Sequence, residues 1–340
     1  MSMTIYDIQR MKTTDFEKGI VDVFQRESDP IKLLPINEIG TTSISTRRQN
    51  SLPTVTFRQR GARFSDGGMP GFETVTDAVY NIGAEVTIDE ADMMDKGPYI
   101  VNPLQYNVEM KLKAISYKLN DYIINGDQAS DPDGFDGLAV RIAALASTQT
   151  VYGTSDGTSS GTHTDTDAAS QSIATANTFL NFIQDAIYAV DGHKADVCFT
   201  DGDWIRALKR SLRYLGLYNG PQSPDKPSTI IGQRDTNNVP LAGPFFEWEG
   251  VKFIDMGVKG DQTTKIVATE TIDSAACRPA FFTRIGGDYL SLIQMGGALN
   301  TKEPFPLDDG VSFRTVISWY LGMRHVHPRF ATKLTGIKVA

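Results

Sequence analysis

The chain has 340 residues, enough for two or three compact modules, and a formal net charge of −8 from 41 acidic and 33 basic residues. That balance carries no overall basic footprint for nucleic acid, and no run of roughly 18 apolar residues is present to cross a membrane as a helix. Cys198 and Cys277 provide neither a disulfide framework nor a zinc pattern, and read as buried small hydrophobes in a reducing compartment.

In chain order, residues 1–26 scatter Ile5, Ile8, Met11, Phe16, Ile20, Val23 and Phe24 among charged positions, the pattern of short amphipathic helical pieces. No basic segment followed by an apolar run opens the chain, so no secretory signal is expected. Ser28 to Pro35 reads as an extended arm, because a residue before proline avoids the helical region. Such an arm packs either back on its own body or onto a neighbour.

Residues 44–90 read as a long β-hairpin. Val55 and Phe57 alternate with Thr54, Thr56 and Arg58 on the outgoing limb. On the return limb Ala84, Val86 and Ile88 alternate with Glu85, Thr87 and Asp89, and Arg63 to Gly71 is turn material. An isolated hairpin is marginal in water, and this one is too long and polar to bury itself. Its charge is divided. Arg47, Arg48, Arg58, Arg60 and Arg63 lie in a stretch without an acid, whereas Asp66 to Asp95 contains Glu73, Asp77, Glu85, Asp89, Glu90 and Asp92 and no Lys or Arg. Three readings stand: arginines facing acids within the hairpin, an arginine-bearing loop docking on an acidic neighbour, or a loop binding phosphate. No aromatic platform for bases accompanies the arginines.

The long element follows. Asn102-Pro103 places an N-cap before proline at the first helical position. Leu104, Val108, Leu112, Ile115, Leu119 and Ile123 then recur on one helical face, with Lys111, Lys113, Lys118, Asn120 and Asp121 on others. Gly126 closes the run, since glycine tolerates the left-handed conformation common past a helix end. The helix spans ~35 Å at 1.5 Å per residue. Asp127 to Leu138 is a turn-dense connector to a second module.

Residues 147–172, rich in Ser, Thr, Gly and Asp, read as an exposed excursion. Phe179, Phe182, Ile183, Ala186, Ile187 and Val190 mark a helix, and residues 195–200 a strand. Asp201 or Asp203 then caps a helix bearing Trp204, Ile205, Leu208, Leu212 and Leu215. This alternation is that of an α/β module. A loop with Pro221, Pro224 and Pro227 leads to strands at 246–254 and 265–268, and Val311, Phe313, Ile317, Trp319 and Leu321 lie on a closing strand.

Reactive motifs are weak. Gly157 to Gly161 has the letters of a nucleophile elbow, but lies in a Ser/Thr/Gly-rich loop rather than between a strand and a helix. Asp131-Pro132-Asp133-Gly134 lacks the first and twelfth ligands of a calcium loop. His325 and His327 share a strand face without a third metal ligand, and His163 and His193 sit in loops. No catalytic residue, cofactor site or metal site is assigned, and the sequence argues against a conventional enzyme.

"LNDYIINGDQASDPDGFDGL" (residues 119–138) resembles the end of the spine helix and the following loop of tailed-bacteriophage major capsid proteins, which have the Hong Kong 97-type fold. "IVDVFQRESDPIKLLP" is similar to that family's N-terminal arm and "SLPTVTFRQRGARFSDG" to the outgoing limb of its extended loop. "NIGAEVTIDEADMM" resembles the return limb, and "FRTVISWYLGMRHVHPRFATKLTGI" the closing strand and C-terminus.

The resemblance implies an α+β fold with an N-terminal arm at 1–43 and an extended loop at 44–83. It implies a peripheral domain at 84–138 and 306–340, with spine helix 102–125, and an axial α/β domain at 139–305. It also implies a structural protein that self-assembles into hexamers and pentamers of an icosahedral shell around double-stranded DNA, contacted non-specifically. Assembly is expected in the bacterial host cytoplasm and residence in the virion, with portal, decoration and scaffolding proteins as partners and no membrane. No long acidic leader precedes residue 1, so scaffolding is expected from a separate or already removed segment. No lysine lies between Lys32 and Lys96, so lysine-based cross-linking of the loop is not expected. Arg47, Arg48, Arg58, Arg60, Arg63 and Phe64 are instead the expected subunit-interface residues. Gly40, Gly61, Gly67, Gly68, Gly71 and Gly83 are hinge candidates. An encapsulin-type nanocompartment shell is the alternative, and a monomeric ligand- or polysaccharide-binding protein a more distant one.

Overall fold

The computed structural model describes residues 2–3, 29–64, 71–91, 103–167, 170, 172–216, 246–297, 300–302, 304–308 and 311–339. Expectations for residues 4–28, Asn102, Gly67, Gly68 and the proline-punctuated loop fall outside them. The architecture is mixed α+β, with the long helix Pro103–Asn125 against one sheet and two helices against another.

The first sheet has seven strands and is built on the closing strand Ser312–His325. That strand pairs with Leu290–Met295 on one side and with Tyr80–Asp89 on the other, in register from Ser312–Asp89 to Leu321–Tyr80. Val86, Ile317 and Trp319 turn inward and meet the buried face of the long helix, where Val108, Leu112, Ile115, Leu119 and Ile123 are all buried. Burying a side chain of this size contributes about 1.5–3 kcal/mol, which is what holds helix to sheet.

Gly126 ends the helix for a reason other than handedness. Its φ is not positive, but an added Cβ would meet the carbonyl oxygens of Phe135 and Tyr122. The Gly137 amide donates to the Gly126 carbonyl at 2.8 Å, so the connector crosses the helix end too closely for any side chain.

Two further expectations are corrected. Asp29–Leu33 is a short helix rather than an extended run, because Pro30 occupies its first turn, where proline is tolerated. Ile31, Leu34 and Ile36 are fully buried, and Ile36–Ile39 pairs with Leu290–Met295, so the described part of the arm packs on its own body. Leu290–Met295, expected in the middle module, is therefore a strand of the first sheet.

The second sheet has six strands in the order Thr150–Tyr152, Ala331–Thr335, Ala280–Thr283, Val197–Thr200, Val251–Asp255 and Phe246–Trp248. The expected strand at 246–254 is a hairpin, because Glu249 and Gly250 take φ of 52° and 78°, a pair of positive values that reverses the chain. Residues 265–268 are not a strand. Ala331–Thr335, expected with the peripheral elements, lies in this second sheet, since the chain reverses through the 3₁₀ turn Pro328–Phe330.

Alternation along these strands divides the core. Cys198, Phe253 and Phe282 face the helices Ile173–Ala189 and Gly202–Tyr214, where Trp204 packs at 5.1 Å from Phe179 and 5.8 Å from Phe253. Val197, Phe199, Ile254 and Phe281 face the other way and join the core of the long helix. The long helix is thus the shared wall of both modules. Both cysteines are buried and free, and burial pushes both thiols up.

Ser172 caps the first of the two helices, its hydroxyl accepting from the Thr175 amide. Asp201 stands at the N-cap of the second but makes no side-chain capping bond; its carboxylate pairs with Lys265 at 2.7 Å and Arg278 at 3.2 Å. Ionic partners outcompete the cap there. Gly157 to Gly161 lies between bridged Thr154 and His163 in a turn closed by Asp156 and Thr158, without the strand-to-helix context of a nucleophile elbow. Asp127 likewise accepts from Ala129 and Ser130, so that connector is a hydrogen-bonded turn. Among the described residues, no group of three His, Cys, Asp or Glu side chains comes together as a metal site.

Candidate subunit-docking surface

The hairpin differs from its expected pairing. Its strands are Ser43–Ser51 and Gly71–Ala78, in register from Ser43–Ala78 to Gln49–Phe72. Val55 and Phe57 are not in a strand, and Ala84 to Ile88 pair with the closing strand instead. Period-two alternation marks residues able to form a strand, but a strand forms only where a partner backbone is offered.

Beyond Ser51 the chain runs off the body without sheet partners. Leu52, Val55 and Phe57 are 81%, 91% and 106% exposed, and Phe64 and Phe72 are exposed as well. Side chains of this kind crowded on one short segment make it a candidate docking surface. The tip nevertheless has local order. The Ala62 amide donates to the Gln59 carbonyl at 3.0 Å, and Gly61 takes a φ of +89° in open space. Arg58 donates to the Ala62 carbonyl at 2.8 Å and lies over the Phe64 ring at 5.1 Å.

The acids of the return limb do not neutralise these arginines. Glu85 pairs with Arg314 at 3.0 Å and Asp77 with Arg141 at 2.7 Å, both toward the body. Among the described residues, Arg48 is the loop arginine that faces a hairpin acid, Glu73, at 3.8 Å. Arg47, Arg58, Arg60 and Arg63 form no ion pair among the described residues, and all four are exposed. The structure thus separates the candidates: Arg58, Arg60, Arg63 and Phe64 lie together at the tip, Arg47 on the hairpin strand, and Arg48 half-buried near the root.

The hinge candidates separate too. Gly40 lies in open space between strands, Gly61 in the tip turn and Gly71 at a strand start. Gly83 is no hinge: it lies mid-strand opposite Ser318, where a Cβ would strike the Ile317 carbonyl oxygen. Gly83→Ala is expected to cost about 1–3 kcal/mol in chemical denaturation through overpacking, while Gly40→Ala is expected to be near neutral.

One arrangement at the hairpin root was missed from sequence. Arg141, on the short helix Leu138–Ala143, donates to Asp77 of the hairpin at 2.7 Å, to the Asp136 carbonyl at 2.9 Å and to the Met323 carbonyl at 3.0 Å. Its one sequence signal is a lone charge in the apolar run Leu-Ala-Val-Arg-Ile-Ala. Nearby, His325 is buried and His327 caps the 3₁₀ turn through Nδ1. Tyr122 donates to Asp131, and burial, followed by that bond, pushes its hydroxyl up to about 12.

No protein-family model matches the sequence, and no curated protein does. Solved structures do. The encapsulin SrpI in its holo complex from Synechococcus elongatus PCC 7942 aligns over 99% of this chain and 96% of its own, with a TM-score of 0.57 at 11% identity. The capsid of a native GTA particle aligns over 90% and 88%, with a TM-score of 0.52 at 12% identity. The capsid of Myoviridae phage XM1 aligns over 87% and 86%, with a TM-score of 0.52 at 13% identity.

The fold is the Hong Kong 97-type fold. In its terms the long helix is the spine and the hairpin with its exposed tip the extended loop. Through Arg141 the hairpin root is tied to the connector after the spine and to the closing strand, so the extended loop of this Hong Kong 97-type chain leaves the body from a hydrogen-bonded root.

Proposed function

We propose that this chain is the repeating subunit of a closed protein shell, held by non-covalent docking of its extended loop on neighbouring copies. The observation that carries this is the loop itself: Leu52, Val55 and Phe57, 81–106% exposed and within six residues of one another, are the most exposed large apolar side chains among the described residues. The exposed arginines supply bidentate pairing with acids of the neighbour. Ring closure by such head-to-tail contacts fits hexamers and pentamers, with Gly40 and Gly61 adjusting the loop between ring sizes. The six-stranded sheet with its two helices is the candidate axial domain, and the spine with the seven-stranded sheet the candidate peripheral domain. The role is structural rather than enzymatic.

For the contents, we favour double-stranded phage DNA lined non-specifically by an acidic subunit, in a virion assembled in the host cytoplasm with portal, decoration and scaffolding partners. The coverage and TM-score of the encapsulin support a second reading, a shell around protein cargo. Sizing and negative-stain imaging of the recombinant chain test assembly, with a scaffolding chain co-expressed where one is encoded nearby. A monomer has a radius of gyration of ~20 Å; shells or ring-shaped capsomers are expected. A strictly monomeric product even with scaffold would overturn the reading. The ratio of nucleic-acid to protein absorbance in purified shells then separates DNA from protein cargo. Replacing Arg47, Arg58, Arg60 and Arg63 by alanine is expected to leave subunits soluble and shells salt-labile.

A further inference from the structure

The hairpin root borders an open pocket with a cavity volume of about 220 Å³, walled by Arg48, Val75 and Asp77 of the hairpin and by Phe135, Arg141 and His325 of the body. His325 is 2% exposed, and neither of its ring nitrogens has a hydrogen-bond partner. A neutral imidazole carries one donor and one acceptor, and leaving both unmade in the interior is costly. Arg48 is the second open group: Glu73 is 3.8 Å away, beyond hydrogen-bond reach, and the buried Nε is unpartnered. Arg141 is the third. Its three bonds use three of the five donors of a guanidinium.

The acids of the cavity are already engaged, Asp77 by Arg141 and Asp136 by the Gln128 amide at 2.9 Å. Tyr80 accepts from the Gln128 side chain at 2.7 Å. The charged groups nearest in effect to His325 are the Arg141 and Arg48 guanidinium groups. Burial first, then Arg141 and Arg48, lower its ring to about 3.

We propose that this cavity is an oxyanion site, taking a carboxylate or phosphate group between Arg48, Arg141 and His325. An anion there meets two guanidinium groups and the imidazole N–H in a site partly shielded from water, where charged hydrogen bonds are strong. Because Arg48 belongs to the hairpin and the other two to the body, the bound anion ties the two together and fixes the angle at which the loop leaves. The anion is either a free solute or an acidic side chain of a second copy.

The test is calorimetric titration of the unassembled full-length subunit with inorganic phosphate and with acetate, at ionic strength matched by chloride. It does not depend on whether shells form. One saturable site is expected, weakened about tenfold by Arg48→Gln, the order expected for one charged hydrogen bond. His325→Leu should weaken it as well. The Arg48 side chain is 16% exposed, so folding of Arg48→Gln is checked by circular dichroism before titration; the ring resonances of His325 in the wild type, shifting with phosphate, give a reading that needs no variant. Binding that persists in assembled material identifies a free anion, and binding lost on assembly identifies a neighbour's carboxylate. No saturable heat and no shift of the His325 resonances, or equal affinity in wild type and both folded variants, would overturn the site.

Discussion

Replacing Arg141 by methionine is expected to lower the unfolding free energy by about 3–5 kcal/mol, the range for breaking a buried ion pair from one side. The size follows from what is left behind. The Asp77 side chain is 3% exposed, and Arg141 is its ionic partner. Two carbonyls, of Asp136 and Met323, lose a donor at the same time. Urea denaturation followed by circular dichroism measures the loss. The double variant Arg141→Met, Asp77→Leu is expected to recover much of it, since a buried pair replaced by apolar side chains of similar volume is often neutral or better. A single variant as stable as wild type would show that the pair does not hold the hairpin root.

The second large effect concerns assembly rather than folding. Changing Leu52, Val55 and Phe57 together to serine is expected to leave subunit stability within about 0.5 kcal/mol per site, because exposed positions contribute little. Shells, by contrast, are expected to disappear. Each of these side chains contributes about 1.5–3 kcal/mol when fully buried, so roughly 5 kcal/mol leaves every docking contact. Sedimentation of wild type and variant side by side reads both outcomes. Shells of normal yield from a folded variant would remove the loop from the docking surface.

Several elements were legible because their signal is local. The spine repeats apolar residues at helical spacing from Leu104 to Ile123, and that face is the one buried. The apolar faces of the two helices in the second module are read from neighbours within a few residues, whereas the Ser172 cap was not. The cluster of loop arginines was visible as a run without acids, although which arginines would stay unpaired was not.

What the sequence by itself determined is the spine, the two helices of the second module and the closing strand, and that one long loop carries charge and apolar bulk it cannot bury alone. The tertiary structure decided which strands pair, where the two sheets exchange segments, and what closes the hairpin root. Tyr80–Asp89 takes the closing strand rather than Val55 and Phe57 as its partner, because a strand's pattern specifies its faces and not its neighbour. Leu290–Met295 and Ala331–Thr335 change sheets relative to their place in the chain for the same reason. The Arg141 clasp joins residues 64 and 182 positions apart. His325, ordinary in sequence, becomes a cavity wall only once hairpin and body close around it. Such contacts arise from packing between distant segments, and periodicity along the chain records only the faces that meet, not which faces meet each other.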